Sequence, residues 1–432
     1  MQQAFRASIF HCLGDPGPHG DATAVEHIED GVLVVDDGHV TRIGPADEVL
    51  PSLEAGAALE DCSGKLIVPG LIDCHVHSSQ VDIIASYGEQ LLDWLNKYAY
   101  PAEMRFVDEE HARAVAEFFL DELLHNGTTT AAVFATVHPQ SADALFAAAE
   151  ARNMRVIAGK VLMDQNCPVE LRDDPESGYA ESKTLIEKWH GRGRLGYAIT
   201  PRFALTSSEA QLEAAGRLAA EHPDAWVHTH LAENQEEVDE IGRQFAWSRS
   251  YLDVYDHFGL LRERSLFAHC LHLDTADRAL MAEKGGAGAF CPTSNLFLGS
   301  GLFDLQAMAD AGVRVGLATD VGGGTSMSML RTMSEAYKML HLQGQSLPAS
   351  RALYLATLGA AKALYLDEFV GNFEPGKEAD FVVLDPEGSQ ITARRAAAAE
   401  TLDELLFSLI FLGDDRNIAA TYVMGRISGD GL

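Results

Sequence analysis

The sequence predicts an α/β fold, a TIM-type (β/α)8 barrel that carries a small β-sandwich domain formed from both termini. In the middle of the chain, about eight short apolar runs alternate with helical stretches, which is typical of parallel strands buried on both faces. The two ends of the chain consist of strand-like segments instead. The first central run ends in His-Val-His, whereas an open doubly wound sheet would need a Gly-rich turn there.

The terminal segments predict one β domain assembled from both ends of the chain. Strand-like stretches lie at 7–10, 31–44, 376–386 and 419–428. Asp37-Gly38, between two alternating apolar runs, is a strong hairpin signal. We therefore expect the β-sandwich domain to take residues 1–66 and 371–432, and the barrel to take residues 67–370.

The central segment supplies the predicted barrel. Its apolar runs span 65–77, 128–136, 155–163, 195–200, 225–230, 265–269, 286–292 and 313–320. Among the helical stretches between them, 207–223 opens with a serine N-cap and an acidic first turn, and 274–286 ends on glycines. One connection, 78–126, is much longer than the others, and long connections of this kind often cover a site.

Composition excludes several function classes. The 432 residues contain 32 Lys and Arg against 64 Asp and Glu, a net charge of −32 that repels phosphate backbones and anionic lipid surfaces. No secretory signal and no membrane-spanning stretch is predicted. Six scattered cysteines without a C-x-x-C pair argue against a disulfide framework and favour a reducing compartment. We expect a cytoplasmic protein that binds no nucleic acid and no membrane.

Metal-type ligands fall at the ends of several predicted strands. His75 and His77 lie two residues apart in a strand, so both side chains point to the same side. His230, His269 and Asp320 end three further predicted strands. Because barrel active sites lie at the carboxyl ends of the strands, these side chains are expected to meet at one rim. Imidazoles and a carboxylate suit Zn²⁺ or another borderline divalent ion.

The neighbouring polar residues have different predicted roles. Glu233, three residues after His230, can reach a substrate without binding the metal, which suits a proton shuttle. Glu236 and Glu237 are expected on the following helix. His228 shares the face of His230 and is expected deeper in the barrel. Cys74 is expected to be a buried small hydrophobe, and Lys160 to form an ion pair rather than to bridge metals.

Several motifs together resemble the amidohydrolase superfamily. They are PGLIDCHVHSSQ (69–80), HTHLAEN (228–234), the lone His269, ATDVGG (318–323) and the closing GNFEPGKEADFVVLD (371–385). Further stretches, at 87–103, 126–141, 158–166, 200–208 and 291–301, are similar to the members of that superfamily that deaminate guanine. The similarity covers nearly the whole predicted barrel, and no expected ligand is missing.

The resemblance implies a role for each matching residue. The expected ligands of one Zn²⁺ per subunit, with Fe²⁺ not excluded by ligand type, are His75, His77, His230 and Asp320. The expected purine contacts are Gln80, Arg202, Phe203, Glu233 and His269. The implied reaction is hydrolysis of guanine to xanthine and ammonia, with Glu233, His269 and Asp320 as the catalytic residues. A homodimer is common among similar proteins.

Three alternative functions differ from this interpretation in features that the sequence shows. A sibling enzyme acting on another purine, a pterin or a triazine would share the metal ligands and differ only in the pocket residues. The unrelated zinc deaminase fold requires P-C-x-x-C, which this sequence lacks. A catalytically inactive relative used as a scaffold would typically have lost metal ligands, and all of them are present here.

Overall fold

A computed structural model describes residues 2–88 and 90–428 of the chain. In chain order the strands are β1 (Gln3–Cys12), β2 (Val25–Asp36), β3 (His39–Pro45), β4 (Ala58–Pro69), β5 (Leu71–His77), β6 (Thr128–Phe134), β7 (Arg155–Gly159), β8 (Val161–Leu162), β9 (Gly196–Pro201), β10 (Trp226–Leu231), β11 (Ser265–His269), β12 (Ala287–Phe290), β13 (Arg314–Leu317), β14 (Phe381–Leu384), β15 (Ile418–Val423) and β16 (Arg426–Ile427).

The α-helices account for most of the segments between the strands. They are α1 (Ala46–Val49), α2 (Leu91–Trp94), α3 (Tyr100–Met104), α4 (Glu109–His125), α5 (Pro139–Ala151), α6 (Pro175–Trp189), α7 (Glu209–Glu221), α8 (Gln235–Gln244), α9 (Tyr251–His257), α10 (Thr275–Lys284), α11 (Pro292–Phe297), α12 (Leu305–Asp310), α13 (Met329–Leu342), α14 (Ala349–Leu355), α15 (Leu358–Ala363), α16 (Gln390–Ala396) and α17 (Leu402–Leu412). Within the described chain, no helix is both long enough and apolar enough to cross a bilayer.

The chain separates into two compact units. One unit comprises Met1–Asp73, Asp121–Thr130 and Met327–Leu432. It contains a seven-stranded sheet in the order β16-β15-β14-β4-β1-β2-β3, the predicted β-sandwich domain formed from both termini. The predicted hairpin is confirmed, because β2 and β3 pair in antiparallel fashion around Asp37 and Gly38, whose φ angles are 47° and 78°.

Alternation along the strands of this sheet separates two buried clusters. On one face the side chains of Phe5, Leu33, Phe381 and Tyr422 pack together, and the Phe381 and Tyr422 rings stack with centroids 4.4 Å apart. The other face buries Ala4, Val32 and Val34 against Ala46 and Val49 of α1. The period of two in β1 and β2 therefore provides apolar residues for both faces.

The other unit comprises Cys74–Leu120 and Ala131–Ser326. Its sheet follows the order β13-β12-β11-β10-β9-β7-β6-β5, eight parallel strands, and β8 pairs with β9 beside this path. Two backbone bonds join the ends of the path, from Asp320 N to His75 O at 2.9 Å and from His77 N to Val321 O at 2.7 Å. The predicted (β/α)8 barrel is confirmed.

Two predicted strands are each divided in the structure. The run 65–77 separates at Gly70 into β4, which belongs to the terminal sheet, and β5, which opens the barrel. A Cβ on Gly70 would lie 2.1 Å from Thr129 Oγ1, so this position accepts only glycine. The run 155–163 likewise separates into β7 and β8 on either side of Lys160. Apolar runs alone do not reveal such divisions.

The helix signals identified in the sequence correspond to real helix ends. The Ser208 side chain caps α7 by accepting from Gln211 N at 3.1 Å. Asp274 caps α10, which ends at Gly285 with a φ of 79°. The long connection 78–126 is largely helical, since it holds α2, α3, α4 and a π-helical turn at Leu95–Ala99.

Candidate active site

The four histidines and the aspartate singled out in the sequence lie together at the carboxyl ends of the barrel strands. His75 and His77 end β5, His230 lies in β10, and His269 is the last residue of β11. Asp320 lies three residues beyond β13, and its Oδ1 is 3.1 Å from His75 Nε2 and 3.2 Å from His77 Nε2. All five side chains are buried.

This cluster has the composition and spacing of a cation site. Four possible ligand atoms lie within 4.8 Å of one another, one each from His75, His230, His269 and Asp320. The Nε2 atom of His269 and the Nδ1 atom of His77 are buried, and neither has a hydrogen-bond partner among the described residues. Imidazole nitrogens and a carboxylate are the donors that borderline divalent ions prefer. The cluster therefore fits a metal ion.

Hydrogen bonds behind the cluster fix the imidazole rings. His230 Nδ1 donates to the backbone carbonyl of Arg202 at 2.7 Å, which leaves Nε2 as the nitrogen with a free lone pair. His75 Nδ1 lies 2.8 Å from His228 Nε2, and His269 Nδ1 lies 2.9 Å from Asn295 Oδ1. The prediction that His228 lies deeper in the barrel agrees with this contact.

Burial and neighbouring charges set the protonation of the cluster. Burial lowers the pKa of His75 to about 4 and that of His230 well below its ordinary value. Burial opposes ionisation of Asp320, but His269, His75 and His77 outweigh it and hold the pKa of this carboxyl well below its usual range. The neutral imidazoles of His75 and His230 and the ionised carboxylate of Asp320 are in the protonation states that a cation requires.

Two of these residues adopt backbone conformations that L-residues rarely take. His269 has a φ of 73° and Asp320 a φ of 50°, both in the left-handed region. Such a conformation costs about 1–3 kcal/mol and persists where the surroundings enforce it. Both residues lie where the chain leaves the barrel strands, and the turn directs both side chains at the cluster.

Glu233 lies beside the cluster as a buried acid. Its Oε2 is 3.4 Å from His269 Nε2, and its Oε1 accepts from the Ser300 hydroxyl at 3.4 Å. Burial, together with the negative charge of Asp320, raises the pKa of Glu233 well above its ordinary value. A carboxyl group that is protonated near neutral pH can act as a general acid.

Glu237 is more closely tied to this region than its position on α8 suggests. Its Oε2 accepts from the backbone N–H groups of Glu233 at 3.0 Å and Asn234 at 3.3 Å. Tyr251 donates to its Oε1 at 2.6 Å. Glu236, by contrast, is exposed on the helix surface, as expected.

The predicted purine-binding residues form a second buried group. Arg202 Nη1 donates to both carboxylate oxygens of Glu103, at 2.8 and 2.7 Å. Gln80 Nε2 donates to Glu103 Oε1 at 3.0 Å, and Gln80 Oε1 accepts from Gly322 N at 3.2 Å. Phe203 is buried, with its ring centroid 6.2 Å from that of His230.

A cavity of about 380 Å³, which includes its opening to solvent, joins the two groups. Its walls are formed by His77, Gln80, Leu91, Trp94, Leu95, Arg202, Phe203, His230, Glu233, His269, Leu298, Asp320 and Gly323. Three of the apolar wall residues, Leu91, Trp94 and Leu95, come from the long connection that was expected to cover a site. The cavity combines apolar walls with a few convergent polar groups, as ligand sites do.

Lys160 and Cys74 lie outside the cavity wall. Lys160 Nζ pairs with Asp173 at 2.8 Å and Glu181 at 3.0 Å, an ion pair as the sequence indicated. Cys74 is fully buried in β5.

Two residues that support the site were not predicted from the sequence. Asn295 and Glu103 fall within stretches that carried the resemblance, but neither was assigned a role. A buried acid in a long connection gives no local signal, because its burial depends on residues far away in the chain.

Comparisons with known proteins show the family of the chain. The model of the amidohydrolase family matches residues 66–428. The chain belongs to the amidohydrolase family. A guanine deaminase of Escherichia coli (strain K12) is 51% identical over 410 residues, which cover 95% of this chain and 93% of that protein.

Two solved structures are similar to this amidohydrolase over nearly its whole length. The E. coli guanine deaminase structure has a TM-score of 0.97 at 49% identity and covers 99% of both chains. A guanine deaminase from C. acetobutylicum, solved with bound guanine in the active site, has a TM-score of 0.90 at 28% identity and covers 99% of this chain and 100% of that one.

Proposed function

We propose that this amidohydrolase is a guanine deaminase, which hydrolyses guanine to xanthine and ammonia. The observation that carries the proposal is the buried acid Glu233 beside the histidine–aspartate cluster, in one cavity with Arg202 and Gln80. Such a site offers a proton donor, ligands for a cation and a set of hydrogen bonds for a planar ring. The relatives named guanine deaminase support the choice of guanine.

The proposed metal ligands are His75, His77, His230 and Asp320. Their donor atoms suit Zn²⁺ and Fe²⁺ alike, and we propose one Zn²⁺ per subunit. When bound, such a cation lowers the pKa of a water molecule toward about 7 and so supplies hydroxide at neutral pH. His228, the Arg202 carbonyl and Asn295 hold the imidazoles of this region in place.

The proton transfers belong to three side chains of this protein. Glu233, as the neutral acid, protonates the ring nitrogen next to C2, which makes C2 electrophilic. His269 and Asp320 orient the attacking water and accept its proton as the C2–O bond forms. That proton passes to the amino group, the C2–N bond breaks, and ammonia leaves. The proton of the new hydroxyl group returns to Glu233, which completes the cycle.

The proposed purine contacts position C2 for this reaction. Arg202 presents a planar set of donors suited to a ring carbonyl, and Phe203 presents an apolar ring face for stacking. Gln80 offers an amide that both donates and accepts. Glu233 and His269 contact the reacting end of the ring.

Ammonia release from a panel of substrates tests the proposal. The panel contains guanine, adenosine, 8-oxoguanine, a pterin and a chlorotriazine, and xanthine is quantified together with ammonia. We expect guanine to be turned over fastest, with one xanthine per ammonia, and a chelator to abolish turnover until Zn²⁺ is added. Faster turnover of another ring would favour a sibling amidohydrolase. A folded protein that holds no metal and turns over none of the rings would favour an inactive scaffold.

We also propose a cytoplasmic homodimer that binds neither nucleic acid nor membranes. The six cysteines without a C-x-x-C pair and the net charge of −32 support the location and the absence of polyanionic partners. Light scattering during size-exclusion chromatography tests the dimer, which requires twice the 46.7 kDa chain mass.

A further inference from the structure

The Glu103 carboxylate is the shared acceptor for two side chains of the cavity wall. Both oxygens accept from Arg202 Nη1, and Oε1 also accepts from Gln80 Nε2. The side chain of Glu103 is 0% exposed and that of Arg202 3% exposed. Glu103 is not among the residues that form the cavity wall, so it lies behind the two residues that it holds.

Glu103 determines which way the Gln80 amide faces. Glu103 Oε1 accepts from Gln80 Nε2 at 3.0 Å, while the Gly322 N–H donates to Gln80 Oε1 at 3.2 Å. A flipped amide would place oxygen against oxygen and N–H against N–H. The amide is therefore fixed, and it keeps one N–H and one lone pair for a ligand.

Glu103 also directs the Arg202 guanidinium. The ion pair with Glu103 involves Nη1 alone among the Arg202 nitrogens, and Nε and Nη2 make no side-chain hydrogen bond to any described residue. Arg202 Cζ lies 5.3 Å from the ring centroid of Tyr100, so residues 100 and 103 of α3 contact the same guanidinium. The donors that remain are those available for a ring carbonyl.

The ion pair has a further consequence for charge. Arg202 alone would place a buried positive charge beside the ligand, and such a charge favours anions. Glu103 supplies the compensating negative charge at hydrogen-bond distance, so Arg202 offers directional donors without a net charge. A neutral purine is accommodated by such a site, and an anionic purine gains little from it.

We propose that Glu103 is a positioning residue that orients Gln80 and Arg202 and neutralises Arg202, so that the cavity selects a neutral purine over an anionic one. The inference rests on the proposed function, because it takes a purine as the ligand. It also assigns a role to the connection 78–126, in which α3 carries this acid to the site.

The variant Glu103→Gln retains the size of the side chain and one acceptor oxygen but removes the charge. We expect KM for guanine to rise roughly tenfold or more while kcat changes less, because the reacting groups are untouched. Urate anion, measured by calorimetric binding, should bind more tightly to the variant than to the wild type. Glu110→Gln, the same change at an exposed position of α4, is the matched control and should alter neither quantity.

A double-mutant cycle tests whether Glu103 acts through Arg202. In an Arg202→Gln background, Glu103→Gln should no longer change the preference between urate anion and neutral hypoxanthine. If Glu103→Gln does not fold, Glu103→Asp takes its place. It keeps the charge and withdraws the carboxylate by one methylene, so KM should rise without a gain in urate binding.

The outcomes separate this inference from the proposed function. If the wild type deaminates guanine and Glu103→Gln leaves both KM and urate binding unchanged, the inference on Glu103 is wrong and the proposed function stands. If the wild type does not deaminate guanine, the proposed function fails, and urate and hypoxanthine binding still decide the role of Glu103. An equal loss of kcat and metal content in Glu103→Gln would also overturn the inference, since it would indicate a general structural role.

Discussion

At the scale of single residues, each hydrogen bond that orients an imidazole of the cluster occupies one of its two ring nitrogens. His230 donates to a backbone carbonyl, and His75 contacts a second histidine, His228. A substitution cannot remove the backbone carbonyl that holds His230, but it can remove the His228 side chain that holds His75. His228 therefore offers a direct measure of how much ring orientation contributes to metal binding.

We expect His228→Ala to weaken metal binding about 10- to 100-fold, as loss of an orienting partner typically does. The His75 ring would keep its place in β5 but lose the hydrogen bond at 2.8 Å that fixes it. Competition with a chromophoric chelator gives the affinity. His19→Ala, at an exposed position, is the control, and equal affinities for both variants would contradict this expectation.

Glu233→Gln should lower kcat by about 10²- to 10⁴-fold, the usual contribution of a general acid. Metal content should stay at the wild-type level, because Glu233 is not a proposed ligand. Since the protonated form is the active one, the wild-type rate should fall as pH rises through the raised pKa of Glu233. Stopped assays with metal analysis test both statements, and near-normal turnover would refute the assignment.

At the scale of elements, two glycines in neighbouring barrel helices are in opposite surroundings. A Cβ on Gly216, in α7, would lie 2.1 Å from the carbonyl oxygen of Phe258. A Cβ on Gly242, in α8, would meet nothing within 4 Å. The first glycine therefore permits close packing of a helix, and the second only weakens its helix.

We expect Gly242→Ala to stabilise the protein by about 1 kcal/mol, since alanine has the higher helix propensity. Gly216→Ala should destabilise it instead, because the backbone at Phe258 must move. Thermal unfolding of the pair isolates the effect of packing, as the chemical change is the same. Stabilisation by both variants would show that α7 has room to shift.

Helix α8 begins with a capping box whose acid has an unusual pKa. Glu237 is the third helical residue and is fully buried, and burial together with the nearby Glu233 carboxyl group raises its pKa to about 7. Because this pKa is raised in the folded state, the protonated Glu237 contributes its full share of stability below the unfolded pKa of about 4.5. That contribution is lost as pH rises through about 7.

Glu237→Gln should therefore become more stable relative to the wild type between pH 4.5 and pH 8, by on the order of 3 kcal/mol. The amide keeps an acceptor for the Glu233 and Asn234 N–H groups but cannot ionise. Denaturant unfolding at several pH values measures the difference. A difference that does not vary with pH would contradict the raised pKa.

At the scale of the whole molecule, the cluster unites residues that are up to 245 positions apart, since it joins His75 to Asp320. A cation bound there would contact strands from both ends of the barrel sheet. A ligand that binds only the folded state raises stability according to its concentration relative to Kd. Metal content should thus control stability as well as activity.

Removal of the metal should lower the free energy of unfolding by about 2.7 kcal/mol, relative to protein in a free metal concentration of 100 times the Kd of the metal. Readdition of Zn²⁺ should restore both the thermal midpoint and turnover. Calorimetry of the chelated and reloaded protein is the measurement. If chelation abolished turnover and left the midpoint unchanged, the cation would not link the strands energetically.

The sequence by itself determined the fold and much of the candidate site. Its alternating apolar runs predicted the barrel and the terminal sheet, and the regular side-chain periods of strands explain why. The ends of the predicted strands also predicted that His75, His230, His269 and Asp320 meet, because parallel strands bring their carboxyl ends to one rim.

Only the tertiary structure decided what lies behind these residues. Gly70, where the run 65–77 divides, packs against Thr129, and the buried Glu103 pairs with Arg202, about 100 positions away. Glu237 lies on the predicted helix, but its burial beside Glu233 has no signal in the sequence. Local patterns cannot contain this information, since burial and pKa are set by neighbours that folding brings together from distant parts of the chain.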